Sequence, residues 1–118
     1  MEERYDRSMA NPSKDPPLLE VEVTGGDGRS RVRVAGELDA ASAAELEGAL
    51  GSELSAGGVV ELDLGNVSFI DSSGLRSLLV IQQGAADAGG SLVLVATTPA
   101  VDRLLELTGL EDTFRRAG

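Results

Sequence analysis

The sequence predicts an α/β domain: a mixed sheet of four to five strands, an N-terminal antiparallel hairpin followed by parallel strands, with about three helices. Three observations predict it. From Leu18 onward, two runs alternate apolar and charged residues around a glycine-rich break, the period of half-buried strands. Beyond them, segments with apolar residues at spacings of three and four alternate with short apolar runs, the order of a parallel sheet with right-handed helical crossovers. Finally, 118 residues are enough for a single core and too few for two.

The first element is a hairpin. Leu19, Val21 and Val23 alternate with Glu20 and Glu22, then Thr24-Gly25-Gly26-Asp27-Gly28 supplies turn residues. Ser30, Val32 and Val34 interleave with Arg29, Arg31 and Arg33 in the second run. With Gly25–Gly28 as the loop, Thr24 pairs with Arg29, Glu22 with Arg31 and Glu20 with Arg33. Val21 then faces Val32 and Leu19 faces Val34. One face is apolar and the other carries complementary charges, each pair contributing about 0.2–1 kcal/mol. The arginine stripe thus reads as a solvated face, not an anion-binding patch.

A helix is expected over residues 40–55, with Asp39 as N-cap, Ser42 and Glu45 as an alternative capping box, and Ala43, Leu46, Leu50 and Leu54 as its apolar face. Gly57-Gly58 ends it. Val59–Leu64 reads as a strand, and Gly65-Asn66 precedes a short apolar stretch of Val67, Phe69 and Ile70. A second helix runs over about 73–88 with Leu75, Leu78, Leu79 and Gln82 on one face, stopped by Gly89-Gly90. The unbroken apolar run within Ser91–Ala96 predicts a strand covered on both faces. Pro99 opens a third helix carrying Val101, Leu104, Leu105 and Thr108, which Gly109 closes. Residues 1–17, rich in charge and proline without apolar periodicity, read as a disordered lead, so the domain spans 18–118.

Composition narrows function. Ten Lys and Arg against 20 Asp and Glu leave a net charge of −10, a poor match for nucleic acid or an anionic membrane, which bind through cations. There is no histidine and no cysteine, which excludes Ser-His-Asp and Cys-His nucleophiles, histidine or thiolate metal sites, and disulfides. No apolar run approaches the ~18 residues of a membrane span, and no secretory signal is apparent, so a cytoplasmic binding module without cofactor or metal is expected.

The most informative stretch is Phe69-Ile70-Asp71-Ser72-Ser73-Gly74-Leu75, at a strand-to-helix junction. Open α/β sheets put their chemistry at such carboxyl ends of strands. The first amides of the following helix lack intrahelical partners, and the helix dipole favours negative charge there. Ser72 is therefore placed to carry a phosphate, but not to act as an activated nucleophile, since the sole lysine, Lys14, lies in the lead. Asp71, Ser72 and Ser73 are also ordinary N-cap residues, and Asp39 is another. Asp39 and Asp71 together make a poor Mg²⁺ cage, and Gly25–Gly28 lacks the Gly-Lys-Ser/Thr ending of a P-loop.

Gly36-Glu37-Leu38-Asp39, then Val67-Ser68-Phe69-Ile70-Asp71-Ser72-Ser73-Gly74-Leu75, then Pro99-Ala100-Val101 with Leu107-Thr108-Gly109-Leu110, resembles the anti-sigma factor antagonists of the STAS domain family, over about residues 18–110. The resemblance implies a STAS-like mixed sheet and a non-enzymatic regulator of transcription that works by partner switching. It implies phosphorylation of Ser72 by an anti-sigma factor that is also a serine protein kinase. Asp39, Asp71, Ser72, Ser73 and Gly74 would form the partner-binding surface, and a serine phosphatase would reset it. Two departures stand out. The family usually continues with a further strand and a C-terminal helix, whereas Thr113-Phe114-Arg115-Arg116 offers only a stub of that strand, leaving the core beside it exposed or covered by a partner or a second copy. The lead is also longer than the family's short start.

Two rival functions remain at this level. One is a STAS scaffold or regulatory subunit of a larger complex without sigma-factor control. The other is a small nucleotide hydrolase using the helix start near Ser72, which lacks a lysine cradle, a histidine base and a metal cluster.

Overall fold

The computed structural model describes residues 19–26 and 28–117, with the side chain of Ser52 outside the description. The expectation of a disordered lead over residues 1–17 lies outside the described residues. Among the described residues nine elements occur in order: β1 (Leu19–Gly26), β2 (Arg29–Leu38), α1 (Ala40–Ala49), α2 (Gly51–Ser55), β3 (Val59–Ile70), α3 (Ser72–Asp87), β4 (Ser91–Ala96), α4 (Pro99–Thr108) and β5 (Arg115–Arg116). The five strands form one sheet in sequential order. β1 and β2 are antiparallel, and every later pairing is parallel.

The core lies on one face of this sheet. Val32, Val34, Val60, Leu62, Leu64, Leu92 and Leu94 are buried at alternate positions and join Leu46 and Leu50 from the α1 end, Leu75, Leu78 and Ile81 from α3, and Val101 and Leu105 from α4. β4 corrects one expectation. Val93 and Val95 are only half-buried, so the strand is fully covered on one face rather than two. Strict sequential strand order with same-handed crossovers puts the helices on a single side, and an apolar run alone cannot say which of its faces is covered.

The hairpin register differs by two residues from the expected one. Glu22 pairs with Arg33, Thr24 with Arg31 and Gly26 with Arg29, so the ladder runs on to Gly26 and Arg29 instead of opening into a loop at Gly25. Two-residue connections are the favoured hairpin link, and this register extends the ladder by including both glycines at the start of the expected loop. A slip of two leaves each side chain on its face, which is why the apolar and charged faces match expectation. The charge partners change. Arg33 meets Glu22 at 3.7 Å, Arg31 reaches Glu61 of β3 at 3.1 Å, and Arg29 also bonds Glu61. The two arginines hold the Glu61 carboxyl below its ordinary range, the Arg29 hydrogen bond contributing most.

The expected long first helix is two helices joined at Leu50, both of whose neighbours along the face, Leu46 and Leu54, still turn inward. β3 is longer than expected, running unbroken from Val59 to Ile70 through Gly65-Asn66. Its pairing with β2 shifts twice, between Arg33 and Ala35 and between Gly36 and Glu37, where β3 carries the extra residue. Each bulge reverses the inside–outside parity of the residues beyond it. Leu64, Val67 and Ile70 are therefore all buried although they are three apart.

The C-terminal stub is ordered as β5 beside β4, with Phe114 buried at 3% exposure. Gln82 Nε2 donates to Thr113 O at 2.7 Å, and the Ala117 amide donates to Leu94 O. Arg116 donates to Asp102 Oδ1 at 2.9 Å and to Thr97 Oγ1 at 2.8 Å. The core near α3 and β4 is covered by this segment of the chain itself.

Candidate functional site

Three helices begin at the carboxyl edge of the sheet, each behind a side-chain cap. Asp39 Oδ1 accepts from the amides of Ala41 and Ser42 at 3.0 and 3.2 Å, while Ser42 Oγ accepts from the Asp39 amide at 3.0 Å. This reciprocal box uses Asp39 and Ser42 rather than the expected alternative of Ser42 and Glu45. Ser42 is buried, and its hydroxyl also donates to Glu37 O at 2.7 Å, tying the end of β2 to the start of α1. Thr98 Oγ1 caps α4 through the Val101 amide and donates to Val67 O at 2.9 Å.

Asp71 is the N-cap of α3, which starts at Ser72, one residue earlier than expected. Its Oδ1 accepts from the Gly74 amide at 3.1 Å, and its own amide donates to Leu38 O at 3.3 Å. Because Leu38 pairs with Ile70, Asp39 and Asp71 leave adjacent parallel strands side by side. Gly74 makes this closeness workable. A Cβ on it would sit 2.3 Å from Leu38 O and 2.9 Å from side-chain carbons of Leu38 and Ile70. No other residue type fits that contact without moving backbone. One turn further on, Ser77 is buried and its hydroxyl donates to Ala43 O at 3.3 Å, locking α3 against α1.

With Asp71 serving as the cap, Ser72 is left uncommitted. It is exposed at the first position of α3, and its hydroxyl has no hydrogen-bond partner among the described residues. Ser73 is half-buried. The five residues singled out from the sequence thus meet at one edge: Asp39 and Asp71 as half-buried caps, Gly74 as the buried point of contact, and Ser72 facing outward. Among the described residues no group of three or more Asp, Glu, His or Cys side chains is arranged to hold a metal. Among them too, no helix is long and apolar enough to cross a membrane.

Two neighbours of this edge escaped the sequence reading. Phe69 is 46% exposed, because the bulge before it turns the ring outward and Ile70 inward. Period-two alternation from Val67 would have buried the ring, so the sequence marked Phe69 only as part of the apolar lead into the junction. Arg76, one helical turn past Ser72, is also exposed; its spacing from Ser72 was legible but had no meaning until Ser72 was known to face outward.

The comparisons with known proteins agree with this geometry. A family model described as Mlab, STAS domain, matches residues 21–116. The chain is similar to the crystal structure of an anti-sigma factor antagonist from Mycobacterium paratuberculosis, with 34% identity over 86% of each chain and a TM-score of 0.74. In fold it is also similar to the Bacillus cell fate determinant SpoIIAA in its phosphorylated form, at 19% identity over 84% of this chain and 92% of that one, with a TM-score of 0.64. The unphosphorylated form of SpoIIAA matches at 19% identity over 84% and 89%, with a TM-score of 0.68. A match across nearly all of the sheet and helices, with 34% identity to one structure, fixes the assignment: the chain belongs to the STAS domain family, as a non-enzymatic, anti-sigma factor antagonist-like member.

Proposed function

We propose that this protein is a phosphorylation-controlled anti-sigma factor antagonist. In its unmodified form the edge around Ser72 docks on an anti-sigma factor that is also a serine kinase, and docking releases the sigma factor held there. Asp39, Asp71, Ser72, Ser73 and Gly74 form the centre of that surface, and Phe69 adds the exposed aromatic ring that interfaces favour as an anchor. Phosphorylation of Ser72 by the same partner ends docking, and a separate serine phosphatase restores it. The exchange takes place in the cytoplasm.

The observation that carries this reading is the exposed Ser72 hydroxyl, free of any structural bond among the described residues because Asp71 already caps the helix. A phosphate there adds about −1.5 to −2 charges next to Asp71 on a chain at −10. The fold tolerates that charge, because the phosphate is solvated at a helix start. A docked interface does not, because repulsion and lost solvation act against it. A loss of ~3 kcal/mol is about two decades in affinity. Anti-sigma factor antagonists among the similar structures support the choice of partner.

Affinity capture with kinase-type anti-sigma factors from the host tests it. Ser72→Ala should keep binding on in the presence of ATP, and Ser72→Asp should weaken it by a decade or more. Capture unaffected by both changes would favour a second reading, a STAS subunit of a larger complex without sigma-factor control. The family model described as Mlab, STAS domain, which matches residues 21–116, supports that reading.

A further inference from the structure

Arg76, Arg103 and Arg115 are exposed arginines without an ion pair or hydrogen bond among the described residues, and of these three only Arg76 lies on the helix that Ser72 opens. Arg29, Arg31, Arg33 and Arg116 each hold a carboxylate. Arg76 is exposed and makes no ion pair or hydrogen bond among the described residues, on a chain with a net charge of −10. Helical side chains pair with residues three and four positions away. For Arg76 these are Ser72, Ser73, Leu79 and Val80. Two are apolar and two are hydroxyls, so the guanidinium acquires an anionic partner on its own helix only if a serine is modified. Ser72 is the more exposed of the two. Helical side chains also lean towards the N-terminus, which carries the long Arg76 side chain back over the turn that Ser72 begins. An acid four residues ahead of a base is the favourable order for such a pair.

We propose that Arg76 is the internal counter-ion of a phosphate on Ser72. The inference rests on the reading of Ser72 as the phosphorylation site and adds how the mark is read. In the unmodified chain Arg76 projects beside a neutral hydroxyl, and its charge is open to a carboxylate of the docking partner. In the phosphorylated chain it closes on the phosphate oxygens through charge-assisted hydrogen bonds. Modification then changes the docking face twice, by adding negative charge and by withdrawing a positive one. The carboxylates on the elements that adjoin the start of α3 are Asp71 at the cap, Glu37 and Asp39 where β2 meets α1, and Glu45 and Glu47 on α1, which packs against α3. All of them oppose the second ionisation of the phosphate, and Arg76 favours it.

The test uses the full chain with phosphoserine installed at position 72 during translation, followed by ³¹P NMR as the pH is varied. Arg76→Gln and Arg76→Lys are compared with the parent, so the surrounding carboxylates are common to all three. The second phosphate ionisation should lie about 0.3 unit or more lower in the parent than in Arg76→Gln. Molar salt should close that gap, and Arg76→Lys should retain part of it. Equal ionisation in the parent and Arg76→Gln overturns the inference. Capture of the anti-sigma factor by the same phosphorylated protein is read separately. An ionisation gap with undiminished capture leaves the counter-ion standing and overturns the docking reading, whereas lost capture without the gap does the reverse.

Discussion

At the scale of single residues, the junction of β3 and α3 divides its labour cleanly. Asp71 does the capping, Gly74 permits the approach to Leu38, and Ser72 has no structural duty among the described residues. Stability measurements by urea unfolding should separate the three. Ser72→Ala should change the unfolding free energy by no more than about 0.5 kcal/mol, as for other exposed positions outside special features. Asp71→Ala should cost about 1 kcal/mol, the usual loss for a cap. Gly74→Ala should be the most damaging, by roughly 1–3 kcal/mol, since its methyl group would press on a backbone carbonyl 2.3 Å away. A large loss from Ser72→Ala would mean that the serine serves the fold first. The aspartates and the glycine were legible as a motif. Which of three adjacent cap-capable residues would do the capping was not, because propensity ranks Asp and Ser nearly equal at that position.

At the scale of elements, two devices lie outside the motif itself. The β3 bulges turn Phe69 outward, and the C-terminal stub is pinned to α4 and β4 by Arg116, Asp102 and Thr97. The hydrogen bond from Arg116, with that from Thr97, holds the Asp102 carboxyl below its ordinary value of 3.8. A carboxylate lowered in the folded state contributes stability above its unfolded value and loses it as pH falls through the lowered one. Acid unfolding followed by circular dichroism should therefore be less steep below pH ~4 in Arg116→Gln than in the parent, and salt should reduce the difference, because both partners are substantially exposed. The hairpin shows the limit of local reading. Alternation located both strands and both faces, yet two registers differing by two residues satisfy it equally. Glu61, the partner of Arg29 and Arg31, lies some thirty residues away and could not be paired with them from the pattern alone.

At the scale of the whole molecule, a sequential mixed sheet brings three capped helix starts, at Asp39, Asp71 and Thr98, to one edge. Everything that depends on short-range periodicity was present in the linear chain: the strand and helix order, the acidic balance, the absence of histidine and cysteine chemistry, and the Asp-Ser-Ser-Gly junction. These features arise from neighbouring residues, and neighbours are what a sequence displays. The hairpin register, the one-sided cover of β4 and the outward turn of Phe69 came from contacts between segments, and the uncommitted Ser72 hydroxyl from the local choice of Asp71 as cap. Such contacts are set by packing and by competition among near-equivalent local solutions, and that competition is resolved only when the sheet and its helices close on one core.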